Sequence, residues 1–87
     1  MEDFLKEIGI DEQGNYSDDG CYIIDLDEKN FFRYESILDK SELIDLDEDS
    51  SNITYEAITK QYDSDNYLIT LIGDLEGNTY RLSCKQI

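Results

Sequence analysis

The chain has 87 residues, with 22 Asp or Glu against 7 Lys or Arg, no histidine and a formal net charge of -15. One small domain with a single thin core fits in that length. The missing histidine, with no glycine-rich phosphate loop or nucleophile elbow, argues against an enzyme. A field this negative repels nucleic acid and anionic membranes, so neither is expected as a direct ligand, and no cofactor is implied.

Glu2 to Ile8 sets Phe4, Leu5 and Ile8 three and four residues apart behind an acidic first turn, which predicts a short amphipathic helix stopped by Gly9. Met1 to Ile10 contains no long apolar run, so neither a signal peptide nor a membrane anchor is expected and the protein is read as cytoplasmic. Asp11 to Gly20 is polar and glycine-containing, a loop with a brief strand at Tyr16. Cys21 to Leu26 is the first full strand. Asp27 to Asn30 makes a polar turn, and the aromatic and β-branched content of Phe31 to Leu38 predicts a second strand pairing back as a hairpin. Phe31, Arg33, Glu35 and Ile37 would then share one face, and Phe32, Tyr34, Ser36 and Leu38 the other.

Asp39 to Leu46 reads as a short helix capped by Asp39 or Ser41, with Leu43, Ile44 and Leu46 on its apolar side, and Asp47 to Asn52 as an acidic linker. Ile53 to Tyr62 mixes alternation at Ile53, Tyr55 and Ala57 with helical spacing at Ile58 and Tyr62; a strand is favoured. Asp63 to Asn66 is a turn, Tyr67 to Gly73 a buried strand, Leu75 to Asn78 a turn and Thr79 to Lys85 the last strand. The expectation is one α+β domain over residues 1–87, an antiparallel sheet of four or five strands with one or two short helices packed on it. Cys21 and Cys84, without histidines nearby, read as reduced structural thiols.

A calcium-binding module is the lesser functional alternative. Asp45, Asp47 and Asp49 alternate, and Glu56 stands where a twelve-residue calcium loop places its bidentate glutamate. Ser50 occupies the sixth position, which needs glycine, and Asn52 the eighth, which needs an apolar residue.

The charge itself points elsewhere. A dense negative field steers association with a basic surface, and the natural basic surface is a nucleic-acid-binding groove. On a strand, same-face carboxylates recur every ~6.6 Å, near the charge spacing of an extended phosphate backbone. Exposed ion pairs contribute only ~0.2–1 kcal/mol each, so affinity also needs an apolar anchor.

Tyr34-Glu35-Ser36-Ile37-Leu38, the predicted helix and linker after it, Ile53, and Tyr62-Asp63-Ser64-Asp65-Asn66 leading into Tyr67-Leu68-Ile69 together carry a family likeness. From Tyr34 to Gly73 the chain resembles the phage-type uracil-DNA glycosylase inhibitors, small acidic DNA mimics whose Glu-Ser-Ile strand enters the glycosylase's DNA-binding groove. It departs from them in having Cys21 to Leu26 between the first helix and the motif, and one strand fewer after the linker. The resemblance implies that Glu35 and Ser36 accept hydrogen bonds where DNA phosphates or sugar oxygens sit, with Ile37 buried behind them and Leu38 closing the motif. It further implies that Glu42 or Asp45 continues the phosphate track, and that Leu43, Ile44, Ile53 and Leu68 line an apolar pocket for the side chain that the enzyme wedges into DNA. The implied action is stoichiometric occlusion of uracil-DNA glycosylase in the cytoplasm of a phage's host. The alternatives are an anti-CRISPR or anti-restriction DNA mimic blocking another nucleic-acid channel, and an immunity protein against a basic nuclease.

Overall fold

The first helix, α1 (Glu2–Ile8), forms where the spacing predicts it, and Gly9 ends it with φ 116°. That left-handed turn is open to glycine without steric cost, and it lets the Gly9 N–H bond back to the Leu5 and Lys6 carbonyls. The computed structural model, which describes residues 1–87, continues with β1 (Asn15–Tyr16), β2 (Tyr22–Leu26), α2 (Glu28–Lys40), β3 (Asp45–Ile53), β4 (Ala57–Asp63), β5 (Tyr67–Asp74) and β6 (Thr79–Gln86). The strands make one sheet in the order β1-β2-β6-β5-β4-β3, and every neighbouring pair is antiparallel. The fold is α+β as expected, with six strands in place of four or five. No helix is long and apolar enough to cross a membrane.

Four expectations are corrected between residues 31 and 62. Phe31 to Leu38 is the middle of helix α2, not a strand. The Asp27 side chain caps that helix by accepting from the Asn30 N–H at 2.7 Å. Phe31, Tyr34 and Leu38, spaced three and four apart, are the helix's buried stripe, so the helical period overrides the strand-like composition. Asp39 to Leu46 is not a helix, because α2 ends at Lys40 and the chain bends through Ser41 to Ile44 before β3 begins at Asp45. The supposed linker Asp47–Asn52 lies inside β3, and the predicted strand Ile53 to Tyr62 divides into the end of β3, a turn and β4.

The core fills one side of the sheet. Tyr22 and Ile24 of β2, Tyr80, Leu82 and Cys84 of β6, Ile69 and Leu71 of β5, and Ile58 and Tyr62 of β4 point to this side. Phe31, Tyr34 and Leu38 of α2, with Leu5, Ile10 and Ile44, close over them. Gly73 permits this contact, since a Cβ there would stand 3.0 Å from Phe31 Cζ and 3.1 Å from Tyr80 Cδ1. The other side of the sheet, including Ile23, Leu68, Thr70, Ile72 and Ser83, carries no helix.

Both cysteines are free thiols, Cys84 wholly buried and Cys21 half-buried. Burial pushes the Cys84 thiol up from 9.0 to about 11. Its pKa is therefore higher in the folded protein, so its contribution to stability is complete below pH 9.0 and is lost as pH rises through about 11. Thermal scans from neutral pH into this window are expected to show a falling Tm. At pH 8, a disulfide reagent is expected to modify Cys21 while Cys84 reacts only on unfolding.

Candidate functional site

Strand β3 is an edge strand with none of its nine residues buried. It carries Asp45, Asp47, Glu48 and Asp49, with Glu42 just before it, Glu56 on the turn after it and Asp63 beside it on β4. None of these seven carboxylates is in an ion pair. The pairs of the fold are Arg33–Asp11 at 3.7 Å, Arg81–Asp25 at 3.2 Å, and Lys60 with Glu35 and Asp39 at 3.2 and 3.0 Å. Three of the seven cations are thus tied up away from the β3 carboxylates, of which Asp45, Glu48 and Asp49 are exposed.

A bulge shapes this edge. Asp47 pairs with Gln61 and Asn52 with Thr59, so the four residues Glu48 to Ser51 stand opposite Lys60 alone. Side chains replace the missing ladder bonds: Ser51 Oγ donates to the Asp47 carbonyl at 2.7 Å and accepts from the Gln61 N–H at 3.1 Å. Asp47 Oδ1 accepts from the Ser50 N–H at 3.3 Å and Oδ2 from Gln61 Nε2 at 3.4 Å. Asp47 therefore fixes the bulge, leaving Glu48 and Asp49 exposed on it. The structural role of so much charge is to keep an open edge from pairing with other chains. That role does not account for Asp45, whose direct cross-strand partner is Asp63, an arrangement that destabilises a sheet. Asp45→Asn is expected to raise stability by about 0.2–1 kcal/mol in denaturant titrations, with the gain shrinking in high salt.

Apolar side chains accompany the acids. Leu43, Leu46, Ile53 and Tyr55 are 46%, 40%, 62% and 99% exposed. Of the residues singled out from sequence, Glu42, Leu43 and Asp45 lie at the start of this edge and Ile53 at its far end, on a loop and strand rather than a helix. The others do not join them. Ile44 and Leu38 are core residues, Ile37 packs half-buried against the core, and Ser36 is exposed on α2. Leu68 lies on the side of the sheet that no helix covers.

Glu35 is bound within the fold. Lys60 Nζ, on a side chain only 10% exposed, lies 3.2 Å from Glu35 Oε2 and donates to both Asp39 oxygens at 3.0 Å. Tyr62 Oη donates to Asp39 Oδ1 at 2.6 Å. Burial works against the ammonium, but hydrogen bonds and charge from Asp39 and Glu35 outweigh it and raise the Lys60 pKa. Burial, and then the bond to Asp39, push the Tyr62 phenol far above its ordinary value. This cluster fastens α2 to β4.

The twelve-residue calcium loop is not formed. Asp45 begins β3 and Glu56 lies beyond its far end, so an extended strand separates the first and last ligands. No three His, Cys, Asp or Glu side chains gather closely enough to hold a metal. The two surface concavities, about 180 and 520 Å³, lie away from β3, the first beside α1 and Tyr22, the second beside Tyr80 and Arg81. From sequence, Glu48 reads only as a linker residue, Asp47 and Asp49 as linker residues or calcium ligands, and Tyr55 and Asp63 as ordinary strand and turn. The alternation of Asp45, Asp47 and Asp49 was the available signal, since a period of two suits an exposed edge strand as well as a ligand loop. No protein-family model matches the chain, and neither do curated proteins or solved structures.

Proposed function

We propose that this protein is a non-enzymatic DNA mimic that occludes the basic groove of a DNA-binding enzyme by stoichiometric protein–protein contact, with uracil-DNA glycosylase as its target. The observation that carries the proposal is the run of unpaired carboxylates from Glu42 through Asp49, joined by Asp63, on a strand that buries nothing. Charge set on a folded edge meets a basic groove without the ordering cost of a flexible polyanion. It also makes the association fast and dependent on salt. The protein acts in the cytoplasm of a phage's host and contacts no nucleic acid directly.

The glycosylase is kept as target for the reasons of size and charge given by the resemblance. The mode of contact is different, because Glu35-Ser36-Ile37 is helical and Glu35 is already bound to Lys60. Contact therefore falls to Glu42, Asp45, Glu48, Asp49 and Asp63. The test is uracil excision from a labelled oligonucleotide by purified glycosylase, titrated with this protein at moderate salt. Full inhibition near one equivalent, weakening as salt rises, is the expected result. Undiminished excision at large excess would rule out this target.

A further inference from the structure

The acidic edge ends in a turn that presents two apolar side chains. Ile53 is 62% and Tyr55 99% exposed. Single exposed apolar residues are common and need no explanation. Ile53 is the last residue of β3, and Tyr55 stands two residues on, in a turn that its own hydrogen bonds hold in place. The Thr54 N–H and Oγ1 donate to the Ala57 carbonyl at 2.9 and 3.2 Å, and Oγ1 accepts from the Glu56 and Ala57 N–H groups at 3.2 and 3.1 Å. The Glu56 carbonyl accepts from the Leu75 N–H at 2.9 Å, tying the turn to the connection between β5 and β6. A tyrosine presented this way offers a large contact area and has few torsions left to freeze on binding.

We infer that Ile53 and Tyr55 form an apolar anchor that enters a recess between the cations of a basic protein surface. The inference rests on the basic-partner reading and adds to it the residues that discriminate among basic partners. Charge complementarity selects the occupant. Glu56 adjoins the anchor and Glu48 and Asp49 precede it, so a second copy of this chain or an anionic membrane is repelled. A neutral apolar partner would gain nothing from the acids. A basic surface with an apolar recess uses both, and tyrosine is among the residues that most often dominate such contacts.

The test uses two labelled cationic peptides of equal length and charge, one with serine between its lysines and one with a central leucine cluster, and follows binding by fluorescence anisotropy. The intact protein is expected to bind the leucine peptide about ten-fold more tightly. Ile53→Ser with Tyr55→Ser is expected to remove that preference while leaving the serine peptide's affinity and the protein's Tm unchanged. Tyr16→Ser, at the other well-exposed tyrosine, is expected to keep the preference. Equal binding of both peptides by the intact protein, or a preference that survives the double substitution, would overturn the anchor and leave the basic-partner reading standing. Failure to bind either peptide at low salt would overturn both. Light scattering that showed a dimer dissolved by the double substitution would assign the tip to a second copy and overturn the inference.

Discussion

Lys60→Met is expected to destabilise the folded protein by about 2–4 kcal/mol in urea unfolding. Losing one partner of a buried ion pair costs ~3–5 kcal/mol, because the other charge stays behind without compensation. Here Lys60 of β4 leaves two carboxylates, Glu35 and Asp39, one turn apart on α2 with no cation between them. The lower range follows from geometry: the Asp39 side chain is 40% exposed and the Glu35 side chain 21%, so water relieves part of the repulsion. Adding Glu35→Gln to Lys60→Met should restore part of the loss, since one unpaired charge then disappears. Independent, additive losses from the two substitutions would mean that the cluster does not act as a unit. The same experiment bears on function. Glu35→Gln alone should lower stability while leaving inhibition per folded molecule intact, whereas a carboxylate that touched the target would do the reverse.

The second large effect concerns binding. Asp45→Asn, Glu48→Gln and Asp49→Asn together are expected to weaken inhibition by ~3- to ~150-fold, the sum of three exposed contacts at ~0.2–1 kcal/mol each. Asp47 is left in place because its carboxylate holds the bulge. The triple variant should be no less stable than the parent, since it lifts the Asp45–Asp63 repulsion and none of the three residues is buried. Asp18→Asn with Asp19→Asn, in the loop before β2, is the control for net charge. If the loop pair weakens inhibition as much per charge as the β3 triple, the edge has no special part in the contact. A shallower dependence of inhibition on salt in the triple variant would show that these carboxylates meet cations.

The strands nearest the C-terminus were legible because their sequences agree with themselves. Tyr67 to Asp74 and Thr79 to Gln86 alternate core and surface residues and are separated by a glycine-containing turn. α1 was legible from its apolar spacing and Gly9. The region from Asp27 to Ile53 was not, for two opposite reasons. In Phe31 to Leu38 the aromatic residues invite a strand, and the decisive signals were the Asp27 cap and the spacing of Phe31, Tyr34 and Leu38. In Asp45 to Ile53 the acid-rich composition disfavours a strand and only the alternation of Asp45, Asp47 and Asp49 hints at one; pairing with β4 imposes it. The candidate site suffered accordingly. Glu42, Leu43, Asp45 and Ile53 were singled out through a motif whose local conformation proved different. Glu48 was read only as linker, and Asp49 as linker or calcium ligand, because an acidic strand and an acidic linker look alike until the partner strand is known.

The absence of any buried residue in β3 has an evolutionary consequence. Most proteins change their recognition surfaces under the constraint that the same side chains help to hold the fold. Here selection can rewrite an outer strand almost letter by letter, keeping Asp47 and Ser51 for the bulge, while folding depends on Phe31, Tyr34, Ile69, Leu71 and their neighbours. Sequences sharing this interior could therefore differ widely along one margin without loss of the fold.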